Sequence, residues 1–300
     1  MGFNTKIGVV SDSMCDLPSR ISEKFRIAVV PGIVYVDGVP HQSGVDIHPK
    51  DIQAIIDDEE KTIKTGAPPP AAYYRAYESL YDSVDIILSL HCPIKHSGVL
   101  NSAKAGARHL RDSSRVVHFE CGVATIGLGI TAIAAAIKSQ QIENKEDLIR
   151  IVQEYCTRIQ IIGTLESFKY LQRSGRFGLK VAGWIANTLS VKPVLLMRDS
   201  NVFLIKKPRN RNSALNQLIS YLSKTIDREI NPRIVGISHF GCEEELNEVE
   251  KKIKGILPDH MIIRGFADPM VAANAGPGLV LIAYFADSID NSNKGIKINV

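Results

Sequence analysis

The stretch KIGVVSDSMCDLP, residues 6–18, decides how the rest of the chain is interpreted. Its apolar run Ile7–Val10 is typical of a short buried strand, which ends at the polar cluster Ser11–Ser13. The segment Asp16–Ser19 then begins a predicted helix. In open α/β sheets, the carboxyl ends of the strands face the crevice that binds the ligand. We therefore expect an α/β fold in which this segment lies at the ligand-facing end of the first strand.

The first half of the chain continues this alternation of strand-like and helix-like segments. Predicted strands are Ile27–Val36, Val84–Leu90 and Val116–Phe119. Predicted helices are Leu17–Lys24, Asp51–Asp58 and Pro70–Tyr81, the last with a proline suited to a first helical turn. This alternation predicts a mostly parallel sheet flanked by helices.

The second half has a different pattern. Residues 191–207, VKPVLLMRDSNVFLIKK, predict two strands joined by a polar turn at Asp199–Asn201, which is a hairpin and not a crossover. Around it we predict helices Lys145–Arg158, Ser213–Ile226 and Glu243–Ile256, and strands Ile161–Leu165, Ile234–Ser238, Met261–Arg264 and Val280–Phe285. We expect two α/β domains, residues 1–156 and 157–300, of which the second has a mixed sheet.

The composition excludes several classes of protein. The chain has 300 residues, 45% of them hydrophobic, and its net charge of +4 is too small to indicate nucleic-acid binding. The five cysteines are odd in number and contain no CxxC pair, so neither a disulfide framework nor a zinc site is predicted. Without a signal-peptide pattern or an apolar run of about 18 residues, we expect a cytoplasmic protein that does not insert stably into membranes. No metal or cofactor is predicted.

Three short polar segments have both a local and a functional interpretation. Ser13 and Asp16 are suited to capping a helix, which is the commoner use of such residues. Thr65, in KTGAPPP, lies in a predicted turn before a helix. Ser97 and Gly98, in HSGVLNSA, begin a helix, where free backbone N–H groups bind anions. Ser97 is equally consistent with a plain N-cap residue.

Glycine-rich and basic segments give weaker signals. The sequence Gly127-Leu128-Gly129 lacks the third glycine of a dinucleotide fingerprint, and the chain has neither a GxxxxGK[ST] nor a GxSxG motif. Arg176 lies in LQRSGRFG and Arg209 in KKPRNRN. Such basic runs are usually solvated, although arginine also binds phosphate or carboxylate. Phe177 is the one aromatic residue within these two segments, so the repeated aromatic interleaving of a nucleic-acid platform is absent and nucleic-acid binding is not expected.

Taken together, eight motifs in the same order resemble those of the DegV family, bacterial fatty-acid-binding proteins of two α/β domains. SDSMCDLP is similar to the family's T-D-S-x-x-D-L-P, and VVPGIVYVDG to its second strand and turn. TGAP stands in place of T-S-Q-P, HSGVLNSA in place of S-G-T-Y-x-S-A, and NAGPG in place of H-x-G-P-G. LQRSGR, VKPVLLMRDSNV and KKPRNRNSAL resemble L-x-x-G-G-R, K-P-I-L-x-x-x-D-G and K-x-R-G-x-x-x-A. The resemblance covers nearly the whole chain.

The resemblance implies a carrier, not an enzyme. It implies a long-chain fatty acid, or a similar amphiphile, whose chain occupies an apolar tunnel at the domain interface. Its carboxylate would be held by the hydroxyls of Thr65 and Ser97 and by the Gly98 N–H. The implied partner is a separate fatty acid kinase that phosphorylates the carboxylate. By the same resemblance, Ser13, Asp16 and Asn274 support the head-group site, whereas Arg176 and Arg209 face the partner or the phosphate.

The chain departs from the family pattern around the implied head group. The family's histidine before Gly-Pro-Gly is Asn274, the threonine of S-G-T is Val99, and the residues after Thr65 are Gly66 and Ala67. The aspartate before the Gly-Leu-Gly helix is Glu120. An alternative hypothesis is therefore a divergent phosphoryl-transfer or hydrolytic enzyme acting on a small anion, with Asp12 or His96 as its reactive residue.

Overall fold

A computed structural model describes residues 6–58, 60–175 and 191–287. The first half contains a four-stranded, wholly parallel sheet in the order β2-β1-β6-β7. Its strands are β1 (Ile7–Asp12), β2 (Ile27–Val30), β6 (Ile86–His91) and β7 (Val116–Glu120). Strand β1 is central and buried, as its apolar sequence predicts, and a 3₁₀ turn, Ser13–Cys15, follows it directly. The prediction of a parallel sheet in this half is confirmed.

Helices cover this sheet and connect it to the rest of the molecule. They are α1 (Ser19–Lys24), α2 (Pro49–Ile56), α3 (Pro70–Tyr81), α4 (Val99–Ala107), α5 (Thr125–Lys138) and α6 (Lys145–Arg158). Helix α5 is apolar on all sides and almost wholly buried, because it packs against both the parallel sheet and the larger sheet of the second half. Gly129 allows this helix to approach the carbonyl of Cys15 more closely than a side chain would permit. The Gly-Leu-Gly sequence therefore serves close packing.

The second half contains a six-stranded mixed sheet in the order β10-β9-β8-β13-β11-β12, in which only the pair β11–β12 is parallel. The strands are β8 (Ile159–Thr164), β9 (Val194–Arg198), β10 (Asn201–Lys206), β11 (Ile234–Phe240), β12 (Met261–Phe266) and β13 (Leu279–Phe285). The helices are α7 (Lys169–Ser174), α8 (Arg211–Thr225), α9 (Glu243–Ile256) and α10 (Pro269–Ala275). Strands β9 and β10 form the predicted hairpin, with Asp199 and Ser200 at positive φ in its turn.

A third, small sheet was not predicted. Strand β3 (Ile33–Val36) pairs with β4 (Val39–Gln42) and with β5 (Ile63–Gly66), both antiparallel. The prediction of one strand over Ile27–Val36 is wrong, because Pro31 and Gly32 separate β2 from β3. Thr65 was predicted in a turn, but it lies in β5 opposite Val34. The pairing of Val34 with Thr65 joins residues far apart in the chain, so no local sequence pattern indicates it.

One apolar core runs through both halves of the chain. It contains Val9 and Leu88 from the parallel sheet, Ile126 and Ile130 from α5, and Leu281 from β13. The fold class is as predicted, an α/β fold with a parallel sheet followed by a mixed sheet with a hairpin. The boundary at residue 156 stays a prediction, and it falls in the last turn of α6.

Candidate ligand-binding site

The candidate site is an apolar cavity of about 150 Å³ against the mixed sheet. Strands β8, β9 and β13 and helix α10 form most of its wall, with residues Ile161, Leu195, Met197, Leu279, Leu281 and Val271. Residues from the first half close it, namely Met14, His96, Ala124 and Thr125. Because side chains alternate between the faces of a strand, one face of the mixed sheet lines the cavity while the other packs on helices α8 and α9. The cavity therefore lies where elements of both halves meet.

One residue of this wall, Asn274, forms a polar pair with Thr65, which lies outside the wall. The Asn274 side-chain amide, on helix α10, donates to the Met270 carbonyl at 2.5 Å and lies 3.5 Å from the Thr65 hydroxyl. Asn274 and Met270 both line the cavity, one helical turn apart. The structure thus brings together two of the sequence-predicted site residues, which come from distant segments of the chain.

Ser97 and Gly98 lie at the start of α4, as predicted. The N-cap residue is Gly98, and no side chain caps this helix. The interpretation of Ser97 as a plain N-cap residue is therefore wrong. Ser97 is half-buried, Gly98 is exposed, and Ser97 directly follows the cavity-lining His96.

Three contacts fix the loop that carries Ser97. The Glu120 carboxylate accepts from the Ile94 N–H at 3.0 Å, and the Lys95 ammonium donates to the Asn201 side-chain oxygen at 2.7 Å. The His96 Nε2 lies 3.0 Å from the Ser200 carbonyl, which can only accept, so this nitrogen carries the proton. The turn of the β9–β10 hairpin thereby holds the loop that presents Ser97.

The opening segment of the chain positions helix α10. The Asp16 carboxylate accepts from the Ser238 hydroxyl at 2.9 Å and from the Asp268 N–H at 2.8 Å. Asp268 in turn accepts from the Ser43 hydroxyl and caps α10 through the Met270 N–H. The expectation that Asp16 caps a helix is wrong, because its carboxylate reaches across to the second half of the chain. It supports the helix that carries Asn274.

Ser13 has a related supporting role. Its hydroxyl oxygen accepts from the Gly32 N–H at 3.1 Å, so Ser13 is not a helix cap either. A side chain at Gly32 would overlap the Met270 sulfur and lie 3.3 Å from the Ser13 hydroxyl. Gly32 therefore leaves the space that the Met270 side chain occupies beside the cavity. Ser13 therefore does not contact Asn274 itself: it fixes the backbone at Gly32, which packs beside Met270, and the Met270 carbonyl accepts from Asn274.

Burial raises the pKa values of the two supporting carboxyl groups, Asp16 and Asp268. It raises the pKa of Asp268 from 3.8 to about 6, although hydrogen bonds from Ser43, Met270 and Ser13 oppose the rise. Burial also raises the pKa of Asp16, and the nearby Asp268 adds to that effect. The pair thus accepts a proton more readily than exposed carboxylates do.

The two arginines implied by the resemblance are placed differently. Arg209 is exposed between β10 and α8, next to Asn210, which caps α8. The neighbouring Pro208 carbonyl accepts from the Lys192 N–H at 2.8 Å. Arg176 lies outside the described residues. The structure therefore places the Arg209 side chain on the surface of the second half of the chain.

The residues of the alternative enzyme hypothesis are engaged in structural contacts. Asp12 is 1% exposed, and its carboxylate accepts from the Met14 N–H and lies 3.2 Å from His91. The chain of contacts continues from His91 through Ser89 to Tyr77, all fully buried. This arrangement has the order of a catalytic triad, but no substrate can reach it. His96 donates from Nε2 to a backbone carbonyl, a contact that fixes the hairpin turn to its loop.

Two classes of site are absent from the described part of the chain. Residues 6–58, 60–175 and 191–287 contain no group of three histidine, cysteine or acidic side chains arranged to hold a metal ion. Over the same ranges, the helices are too short or too polar to cross a bilayer.

Sequence reasoning missed part of this site. It did not predict α10, although Asp268 followed by Pro269 is a helix-start signal and Gly276 follows the helix. It also did not predict that Met14, Met197 and Met270 line the cavity. Three of the five methionines of the chain are therefore at one site, a clustering that only the fold reveals.

An apolar cavity with few polar groups, formed between two α/β units, defines a small-molecule-binding protein. The model of the DegV family, described as an uncharacterised protein family, COG1307, matches residues 6–287. A DegV domain-containing protein of Caldanaerobacter subterraneus subsp. tengcongensis is 30% identical over 272 residues, 91% of this chain and 96% of the relative. The chain belongs to the DegV family, as the resemblance implied.

Solved structures share the fold over nearly the full length. A stearic-acid-binding protein from Eubacterium ventriosum has a TM-score of 0.83 at 25% identity, covering 93% of this chain and 98% of that one. A fatty-acid-binding DegV family protein from Thermus thermophilus has a TM-score of 0.84 at 22% identity, covering 93% and 99%. The fatty acid kinase B3 protein of Streptococcus pneumoniae, loaded with linoleic acid, has a TM-score of 0.79 at 17% identity, covering 94% and 100%.

Proposed function

We propose that this protein is a non-catalytic carrier that binds a long-chain fatty acid or a similar amphiphile in the cavity. The observation that carries the proposal is an apolar cavity lined by Asn274, whose side-chain amide lies 3.5 Å from the Thr65 hydroxyl. The Eubacterium and Thermus structures, which bind fatty acids, support it because they share this fold. Burying about fifteen methylenes contributes roughly 12 kcal/mol, enough to offset the cost of association with few polar anchors.

The carboxylate is held, in this proposal, by the Thr65 and Ser97 hydroxyls and the Gly98 N–H. A carboxylate that leaves water needs hydrogen bonds, and hydroxyls together with a helix start provide them without a cation. Ser97 does not cap its helix and directly follows the cavity-lining His96, which supports its assignment to the site. Asn274 adds an amide beside Thr65. Val99 and Ala67 remove hydroxyl or amide groups present in the family pattern, so this site relies on fewer anchors.

We further propose that the bound acid is presented to a separate fatty acid kinase, which phosphorylates its carboxylate in the cytoplasm. The likeness to the Streptococcus kinase B3 protein supports this role. Arg209 is exposed and available to a partner or a phosphate, and Arg176 is assigned the same role from the motif alone.

The carrier function is tested by denaturing the purified protein and identifying released lipids by mass spectrometry. We expect close to one fatty acid per chain, and a clear loss in the Thr65→Ala/Ser97→Ala double variant. The matched control is Ser79→Ala/Thr157→Ala, which removes two exposed hydroxyls that bond only within their own helices. An empty wild-type protein that also fails to bind added fatty acids would exclude the proposal.

The kinase role is tested separately by measuring acyl phosphate formed by a purified fatty acid kinase catalytic subunit. We expect Arg209→Ala to bind fatty acid normally but to support slower phosphorylation. Arg108→Ala, which removes an exposed guanidinium next to α4, is the control. Equal rates for the two variants would remove Arg209 from the partner surface.

A further inference from the structure

Two buried cysteines lie in contact at the junction that precedes the mixed sheet. The Cys121 and Cys156 sulfurs are 3.2 Å apart, and their side chains are 0% and 2% exposed. Cys121 directly follows β7, whereas Cys156 lies in the last turn of α6. Both cysteines are free thiols.

The backbone holds these two sulfurs together. The Gly122 N–H donates to the Cys156 carbonyl at 3.1 Å, and the Gly122 carbonyl accepts from the Ser200 N–H at 2.9 Å. The hairpin turn of β9–β10 therefore packs against the same junction. These backbone hydrogen bonds, next to each cysteine, keep the two thiols close together. A disulfide has sulfurs about 2.05 Å apart, so closing the bond requires a movement of roughly 1 Å.

We propose that Cys121 and Cys156 form an oxidisable dithiol that a peroxide converts into an intrachain disulfide. One sulfur attacks the peroxide O–O bond, becomes a sulfenic acid and releases water. The second sulfur then attacks the sulfenic sulfur, the S–O bond breaks, and a second water leaves. Overall, two thiols and one hydrogen peroxide give one disulfide and two waters. The two sulfurs together lose two electrons.

The position of the pair determines what the disulfide does. Ala124 and Thr125, shortly after Cys121, line the cavity, and so does Ile161, shortly after Cys156. The disulfide joins the residue that follows β7 to the last turn of α6, and both segments lead directly into residues of the cavity wall. It closes a loop whose ends are 35 residues apart. Such a cross-link stabilises mainly by restricting the unfolded chain.

The reactivity of the pair is set by its burial. Burial raises the pKa of the Cys121 thiol, and the adjacent Cys156 and Cys92 raise it further. Since the thiolate is the nucleophile, oxidation is slow in the closed protein and proceeds when the junction opens. In a reducing compartment the pair stays reduced, and it closes under oxidative conditions.

The test uses the full-length native protein treated with hydrogen peroxide. We expect the number of thiols titrated after denaturation to fall from five to three, with a Cys121–Cys156 peptide in the digest. We expect Tm to rise by roughly 5 °C and to return to its starting value on reduction. Cys156→Ala should abolish both changes, whereas the control Cys242→Ser, at the half-buried cysteine, should preserve both.

Three results would overturn the inference. The first is a thiol count that stays at five, and the second is a disulfide between Cys121 and Cys92. The third is a Cys121–Cys156 bond that leaves Tm unchanged or lowers it, because strain in the folded state would then cancel the stabilisation expected from the cross-link. If Cys156→Ala fails to fold, the wild-type peptide map and its reversible Tm shift decide the question alone.

Discussion

The Asp16 carboxylate accepts a hydrogen bond from the Asp268 backbone N–H at 2.8 Å, across 252 residues of sequence. Asp16 ends the turn that follows the first strand, and Asp268 caps the helix that carries Asn274. One buried carboxylate thus connects the helix that carries Asn274 to the turn that follows strand β1.

Removing this carboxylate should destabilise the protein strongly. We expect Asp16→Ala to lower the free energy of unfolding by about 3 kcal/mol, because the Asp268 N–H and the Ser238 hydroxyl lose their buried acceptor. Asp16→Asn should cost less than about 1 kcal/mol, since asparagine keeps an acceptor and tolerates the positive φ of 55° at this position. Urea unfolding measures both. Equal losses in the two variants would show that the charge, and not the hydrogen bonds, stabilises the contact.

The raised pKa of Asp268 should make stability depend on pH. Its folded pKa of about 6 lies above the ordinary value of 3.8, so the folded state binds the proton more tightly. This stabilising contribution is complete below about pH 4 and is lost as pH rises through about 6. The difference between these two pKa values is equivalent to roughly 3 kcal/mol of folding free energy.

The Asp268→Asn variant isolates this contribution from that of other groups. His118 has the opposite effect on the pH dependence of stability. Burial lowers its pKa to about 4, so the fold favours the neutral form and loses this contribution as pH falls. We expect the stability of Asp268→Asn relative to wild type to increase as pH rises from about 4 to about 7. Urea unfolding at several pH values provides the measurement. A difference between the two proteins that does not change with pH would contradict the prediction.

Gly32 should control how much of the cavity a ligand can use. A methyl group on Gly32 would overlap the Met270 sulfur, the flexible end of a cavity-lining side chain, and push it into the cavity. If two methylenes of a long fatty acid lose their burial, Gly32→Ala should bind it roughly tenfold more weakly and favour shorter chains. Gly255→Ala, where an added methyl meets no atom within 4 Å, is the control. Calorimetric titration with fatty acids of increasing length measures this preference. If Gly32→Ala and the wild-type protein prefer the same chain length, this role of Gly32 is refuted.

Asn274 should make head-group binding insensitive to pH. Asparagine does not titrate, so we expect fatty acid affinity to change less than about twofold between about pH 6 and about pH 8. Asn274→His should bind more tightly at the lower pH, because a protonated imidazole attracts the carboxylate. Fluorescent-ligand displacement at both pH values measures this. A wild-type affinity that falls steeply with pH would place another titrating group at the site.

The elements predicted correctly are those with strong local signals. The bounds predicted for α3, α6 and α9 agree with the structure, because each has a clear amphipathic pattern and a recognisable first turn. Helix α10 was missed because its seven residues are mostly small, so they carry little periodic signal. The small sheet was missed because its edge strand, Val39–Gln42, contains proline and is mostly exposed.

The candidate site was predictable only in part. The motif resemblance indicates Thr65, Ser97 and Asn274, and the structure places Asn274 beside Thr65. It does not indicate Met14, Met270 or Gly32, since their roles depend on which segments meet in space. The contact of Asp16 with Asp268 is likewise invisible in the sequence, where Asp16 looks like an ordinary cap.

The origin of the Thr65–Asn274 pair also has a consequence for biosynthesis. The two residues are 209 positions apart, so Thr65 leaves the ribosome long before Asn274 does. Amino-terminal segments generally fold first during synthesis. The parallel sheet can therefore form early, while the candidate site stays incomplete until Asn274 has been synthesised. A ribosome-bound chain that stops before residue 274 lacks one member of the pair and therefore part of the candidate site.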